Sequence, residues 1–264
     1  MSYGLQKKEA YARMRRRGVG NDLRRRYLDL IEEHRLTHCD HIRKISDWLV
    51  YVYFCTLVDL TVEDKGARII DWGGFYGQVA RLLMDLGFSN VHNYLLQRPA
   101  AHEAVSREMA LPVIWGRDPN RLALADASVD VFISSGVLEH VEEDGVGDAE
   151  VILAEIWRVL RPGGLFFIWN LPAKLSISEL AAAALGRWRH QRRYGQREIG
   201  RKLRQAGFQA LWQDKHKFLP GSLASRLASV VDPVRLMAAD DALSHLFPFS
   251  ILAQDHALLA RRPL

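Results

Sequence analysis

The pattern of apolar and polar positions changes character shortly after residue 62. Before that point the chain reads as helix. In "NDLRRRYLDLIEEH", with Asn21 as N-cap, Leu23, Tyr27, Leu30 and Ile31 recur at helical spacing. A second apolar helical face runs from about Asp40 to Leu60, and neither segment alternates as a strand would. From Ala67 onward, short apolar runs alternate with longer amphipathic segments. Strands are predicted at 67–72, 90–95, 111–115, 129–134, 164–170, 208–213 and 249–260, and helices at 77–86, 99–108, 147–160 and 195–206. Strands separated by helices specify an α/β fold: a mostly parallel seven-stranded sheet with helices on both faces. The division expected is an N-terminal helical cap or lid, 1–62, and a main domain, 63–264, with late insertions at 171–195 and 214–245.

Ligands of such sheets sit at the carboxyl ends of the strands. That rule gathers Asp71 to Gly77, Leu95, Trp115 to Asp118, Ser134 to His140, and Asn170 around one cleft. The pieces are distant in sequence, so only the fold can assemble them.

Composition narrows the class. The 264 residues are 48% hydrophobic and 25% charged, as expected of a globular chain with a sizeable core. No run reaches the roughly 18 apolar residues of a membrane span, and the start lacks a signal-peptide core, so a cytoplasmic protein is expected. Cys39 and Cys55 are read as buried thiols, and no metal is expected because no ligand spacing such as H-E-x-x-H occurs. Net charge is +5, and residues 1–45 hold twelve Lys or Arg against six Asp or Glu. A second basic zone spans Arg187 to Arg204. Without a nucleic-acid-reading motif, solvated helix faces are preferred to a nucleic-acid partner.

The candidate chemistry centres on "ARIIDWGGFYGQVARLLMDLGF", Ala67 to Phe88. Gly73, Gly74 and Gly77 permit tight turning, and the following helix N-terminus offers unpaired N–H groups. A plain strand–turn–helix junction would look the same. The dinucleotide reading fails: the frame is G-G-F-Y-G, and the next strand ends "VHNYLLQ" without an acid. The segment instead resembles the first motif of class I S-adenosylmethionine-dependent methyltransferases, with Asp71, Gly73 and Gly77 matching and Phe75 in place of the middle glycine. "RDPNRLALADASVDVFISSGVLEHV", "ILAEIWRVLRPGGLFFIW" and "RRYGQREIGRKLRQAGFQAL" resemble the family's later blocks, in order, over about Ala67 to Leu211.

The resemblance implies a Rossmann-like methyltransferase fold of the small-molecule branch. It implies an S-adenosylmethionine pocket formed by Asp71, Gly73, Gly74, Phe75, Gly77, Leu95, Gln97, Asp118, Ser135 and Gly136. Asp118 corresponds to the acid near the adenine amine. Leu95 stands where the family carries the acid that bonds the ribose. A leucine cannot accept those bonds, a loss of about 1.5–3 kcal/mol, unless Gln97 substitutes.

The expected activity is methyl transfer to an oxygen or nitrogen of a small-molecule acceptor. His140 is the candidate base, with Glu139 beside it and Tyr76 closing over the sulfonium; Asn170, His190 and Tyr194 are expected to meet the acceptor. Packing or capping roles stand beside each of these. Trp115, Trp169 and Trp188 are read first as packing residues. Two other functions remain open: a cyclase or lyase displacement within the cofactor that releases methylthioadenosine, and a noncatalytic binding protein. A homodimer is compatible with the aromatic N-terminal stripe.

Overall fold

The computed structural model describes residues 2–143, 147–186 and 190–264. Four helices open the chain: α1 (Tyr3–Arg17), α2 (Asn21–Glu33), α3 (Asp40–Arg43) and α4 (Ile45–Thr61). Then follow β1 (Ile69–Trp72), α5 (Gln78–Asp85), β2 (Val91–Leu95), α6 (Ala100–Glu108), β3 (Val113–Trp115) and β4 (Val129–Ser135). The second half holds α7 (Leu138–Glu142), α8 (Ala149–Val159), β5 (Leu160–Pro172), α9 (Ile177–Ala184), α10 (Gln196–Gln205) and β6 (Gln209–His216). It closes with α11 (Gly221–Leu227), α12 (Pro233–Leu243) and β7 (Asp255–Arg261).

The seven strands form one sheet in the order β3-β2-β1-β4-β5-β7-β6. β7 runs antiparallel to β5 and β6, and the other pairings are parallel. The strand order reverses between β1 and β4, which marks the ligand crevice of an open α/β sheet.

Period-two alternation divides the core into two halves. Ile69, Val131, Ile133, Phe167, Trp169, Ala257 and Leu259 face one side, where α1, α2, α4 and α5 cover them. Ile70, Trp72, Phe132, Phe166, Ile168, Leu258 and Ala260 face the other, under α7, α8 and α10. Asp148 starts α8 by accepting the N–H groups of Glu150 (2.7 Å) and Val151 (3.1 Å).

Several sequence expectations need correction. The apolar segment near 40–60 is two helices, broken at Lys44, and the residue before α2 is Gly20, with Asn21 as its first helical residue. α4 does not stand off as a lid. Trp48 to Val58 are all buried, and Phe54 stacks on Trp169 of β5 with ring centres 5.1 Å apart. A helix apolar all round belongs inside a protein, and here it is a layer on the sheet. The last strand starts at Asp255 rather than near 249, because Phe249–Ile251 form a short 3-10 turn. Among the described residues, no helix is long and apolar enough to cross a membrane.

α1 is strapped to the far edge of the sheet. Tyr3 Oη donates to Asp214 Oδ2 (2.5 Å), its ring stacks on Trp212 (4.2 Å), and Lys7 Nζ pairs with Asp214 (2.8 Å) and Asp241 (2.9 Å). β6 continues past the expected 213 and so buries His216 against Phe54, with neither ring nitrogen bonded to a described residue. Burial lowers the His216 pKa to about 4. The unfolded chain takes this proton near pH 6.5, so stability is intact above that value and falls as pH drops from about 6.5 to 4. The loss expected from this group is on the order of 3 kcal/mol. Urea unfolding at pH 7 and pH 4.5 should show it, and His216→Leu should flatten the slope.

Candidate functional site

The carboxyl ends of β1, β4 and β5 open into a cleft of about 530 Å³. Its lining includes Asp71 in β1 with Gly73, Gly74 and Phe75 just after it, Ser135 at the end of β4 with Gly136 after it, and Asn170 in β5. A smaller lobe of about 270 Å³ adjoins it, lined by Leu95, Gln97, His102 and Pro119 among others. Gly73, Phe75, Val137 and His140 border both lobes.

The loop after β1 earns its shape from backbone conformation. Gly73 (φ 66°), Phe75 (φ 51°) and Gly77 (φ 76°) all lie in the left-handed region. For a phenylalanine that conformation costs roughly 1–2 kcal/mol. The ring is held by edge contacts to Tyr76 (4.2 Å) and His102 (4.8 Å), so packing offsets the strain. Gly74 is needed for space: a Cβ there would lie 2.1 Å from Asp71 Oδ2 and 2.5 Å from Asn93 Oδ1.

Asp71 is fully buried beneath this loop. Oδ2 accepts the Ala80 N–H at 3.2 Å, while Oδ1 has no partner among the described residues. Burial lifts its pKa to about 7, against a small opposing pull from the Ala80 hydrogen bond. A cationic amine entering the cleft would meet a carboxylate whose ionised form lacks a counter-charge.

The opposite wall is a cluster of acids and histidines. Glu139 is buried, its Oε2 lacks a partner among the described residues, and burial lifts its pKa to about 8. His140 Nδ1 lies 2.6 Å from Glu143 Oε2, and His140 Nε2 lies 4.0 Å from Glu139 Oε1. His190 Nδ1 lies 2.8 Å from Glu179 Oε1, and its ring centre is 5.4 Å from that of His140. Burial works to lower the His190 pKa, but the Glu179 hydrogen bond and the charges of Glu139, Glu179 and Glu143 together raise it. Glu143 Oε1 also accepts the N–H groups of Gln191 (2.9 Å) and Arg192 (3.2 Å), so it ties the 190–192 segment to α7.

Of the residues singled out by sequence, Asp71, Gly73, Gly74, Phe75, Ser135, Gly136, Glu139, His140, Asn170 and His190 share the larger lobe. Leu95 and Gln97 line the smaller one. Four do not line either lobe. Tyr76 is buried in the core, with Oη 3.4 Å from Thr37 O, so it does not close over the cleft. Tyr194 is fully buried beneath Arg192, its Oη 3.3 Å from Glu142 Oε2, and so does not meet an acceptor. Gly77 is the helix-entry residue under Leu111. Asp118 is exposed and accepts its own turn's Asn120 N–H at 2.8 Å. Trp169 packs as expected, and Trp188 lies outside the described residues.

Sequence reasoning missed the rear wall. His41, Asp47 and Tyr51 come from the N-terminal helices, Glu179 from α9, and Lys217, Gln254 and Asp255 from the end of the chain. Lys217 Nζ sits between Asp47 (3.2 Å) and Asp255 (3.3 Å), whose charges outweigh burial and raise its pKa above the usual lysine range. A lone Lys and two lone Asp carry no spacing signal; only the buried context exposes the trio.

Comparison with known proteins agrees with this architecture. Residues 70–168 match the family described as a methyltransferase domain. A Mycolicibacterium smegmatis protein described as a probable S-adenosylmethionine-dependent methyltransferase is 35% identical over 88 residues. The match covers 33% of this chain and 32% of that protein's length. Among solved structures, the [4+2]-cyclase SpnF superposes with a TM-score of 0.56 at 21% identity, covering 82% of this chain and 83% of its own. The 1,6-didemethyltoxoflavin-N1-methyltransferase of Burkholderia thailandensis superposes with a TM-score of 0.55 at 16% identity, covering 92% of this chain and 88% of its own.

The loop geometry predicts that Gly74→Ala costs about 1–3 kcal/mol by overpacking. Gly4→Ala, where a Cβ meets nothing within 4 Å in α1, should be neutral or stabilising by up to about 1 kcal/mol. Paired urea midpoints check this. The strand order, the crevice and the matched segment identify the chain's architecture as the class I S-adenosylmethionine-dependent methyltransferase-like fold.

Proposed function

We propose that this protein binds S-adenosylmethionine and transfers its methyl group to an oxygen or nitrogen of a small-molecule acceptor. The observation that carries the reading is the buried Asp71, with one unpartnered oxygen, in the lining of the same cleft as the Glu139–His140–His190 wall. The residues fit the cofactor at one end. Asp71 would accept from the amino group of its methionine part, and the Gly73–Gly74 backbone allows close approach. At the other end Leu95 offers no hydrogen bond, and Gln97 beside it would take the ribose.

S-adenosylmethionine supplies a methyl group already activated by a sulfonium. The protein must therefore orient the acceptor, keep bulk water from the sulfonium and leave the acceptor's proton a way out. Glu139, His140 and His190 stand where an acceptor would be held, and Asn170 Nδ2, 3.4 Å from Ser135 Oγ, stiffens the adjoining wall. The acceptor is read as small because the cleft holds only about 530 Å³, with Lys217, Asp47 and Asp255 paired in its lining.

A second reading keeps the cofactor and changes the reaction. Phe75 and Leu95 alter two family contacts, and the solved [4+2]-cyclase has the same fold. A displacement within the cofactor would release methylthioadenosine without any acceptor.

Calorimetry with S-adenosylhomocysteine should give binding that Asp71→Asn weakens by roughly tenfold or more, the size of one charged hydrogen bond. Leu95→Asp should tighten it. Mass spectrometry of reactions with and without an acceptor panel separates the two chemistries. Methylated acceptor supports transfer; methylthioadenosine above the uncatalysed background, with no methylated product, would replace it with the second reading. Absence of any binding heat would sink both.

A further inference from the structure

We propose that Glu139, His140 and His190 form a binding site for a divalent cation of the zinc and cobalt class, and that this ion draws in an oxygen-bearing acceptor. The acceptor's role rests on the methyl-transfer reading above; the ion site itself does not.

The ligand geometry comes first. One ligand atom from each of the three side chains lies within 4.8 Å of the others. Ligands at about 2.1 Å from a tetrahedral ion stand roughly 3.4 Å apart, so closure by up to about 1.4 Å is needed. The His140 side chain is nearly half exposed and has room to make it. Two imidazoles and one carboxylate are a known zinc set that keeps positions open for water or substrate.

The outer shell is the stronger argument. Metal-binding histidines donate their second ring N–H to a carboxylate or carbonyl, which fixes the tautomer and aims the ligating nitrogen. Both histidines show this arrangement independently. His140 Nδ1 pairs with Glu143 at 2.6 Å, and His190 Nδ1 with Glu179 at 2.8 Å. Each supporting carboxylate is itself anchored by backbone: Glu143 by Gln191 and Arg192, and Glu179 by the His190 N–H at 3.0 Å. A single catalytic base needs one such dyad, and two dyads converging beside a buried carboxylate suit a shared ion.

Charge agrees. Glu139, Glu143 and Glu179 set three carboxyl groups against two histidines in this corner, and Glu139 Oε2 is buried without a partner among the described residues. Lys217, the one Lys or Arg among the described lining residues, is already held by Asp47 and Asp255. Two other His–acid groups are weaker candidates. Glu33, His34 and Glu108 lie largely at the surface, and Asp214 and Asp241 already share Lys7, with Asp214 also accepting from Tyr3.

In the transfer, the acceptor hydroxyl releases its proton to solvent and its oxygen bonds to the methyl carbon. The carbon–sulfur bond breaks with its electron pair remaining on sulfur, giving a methyl ether and S-adenosylhomocysteine. A cation in this corner lowers the cost of the first event by stabilising the developing negative charge.

The full chain, stripped with EDTA, is titrated with cobalt chloride and followed by visible absorption and calorimetry. One equivalent should bind with the bands of a four- or five-coordinate site, and zinc should displace it. His190→Ala and Glu139→Gln should each weaken cobalt by at least tenfold, and Glu179→Gln by about 10–100-fold as an outer-shell loss. His34→Gln should leave the equivalent in place. Circular dichroism verifies that each variant is folded. Absence of cobalt binding by the wild type, or binding unchanged in both His190→Ala and Glu139→Gln, overturns the proposal. S-adenosylhomocysteine binding without a cobalt site removes the ion and spares the cofactor reading. A cobalt site without S-adenosylhomocysteine binding does the reverse.

Discussion

The cleft depends on one packing contact, the stacking of Phe54 in α4 on Trp169 in β5. It packs the buried length of α4, Trp48 to Val58, against the sheet and so holds the helix's amino end beside the cleft. Asp47 and Tyr51 face the cleft for this reason, and His41 follows from the helix just before. Without that contact the strand ends would still converge, but they would form an open shelf rather than a walled cavity. Burial of two large aromatic side chains is among the larger single contributions a core can make, several kcal/mol in all.

A second constraint acts across the cleft floor. Phe75 occupies a backbone conformation suited to glycine, and its ring is wedged among His41, Tyr76 and His102. The wedge borders both lobes, so the loop shapes the cavity with a side chain where a glycine would leave space. Asp71 beneath it is kept out of water by the same packing. The unusual ionisation of the acid and the unusual backbone of the aromatic are therefore two results of one crowded turn.

Much of this was readable in the chain. The alternation of short apolar runs with amphipathic segments gave the seven strands, and the Asp71–Gly73–Gly77 frame located the crevice. "LEHV" pointed to Glu139 and His140, because they follow β4 at the functional edge. The roles of the tyrosines were not readable. Tyr76 follows a residue with positive φ, which turns its ring into the core, and no periodicity reports that turn. Tyr194 lies in an irregular segment tied down by Glu142 at the end of α7 and Glu143 just after it. The Glu143–His140 and Glu179–His190 pairs escaped notice for different reasons. The first joins neighbours on a short helix, and the second spans a loop between two elements. Metal-like spacing in sequence presupposes ligands on one element, and this cluster draws on two.

Lys217 has a consequence for the order in which the molecule comes together. Its partners are Asp47, near the start of the chain, and Asp255, near its end. A partly buried ammonium is best satisfied with both acids in place, so this side of the cleft is complete only when residues more than 200 positions apart have come together. The strands whose ends open the crevice, β1, β4 and β5, all lie within 69–172 and leave the ribosome before Asp255. The Lys217 side of the cleft thus draws on residues more than 200 positions apart, whereas the crevice itself is opened by strands that are close together in the chain.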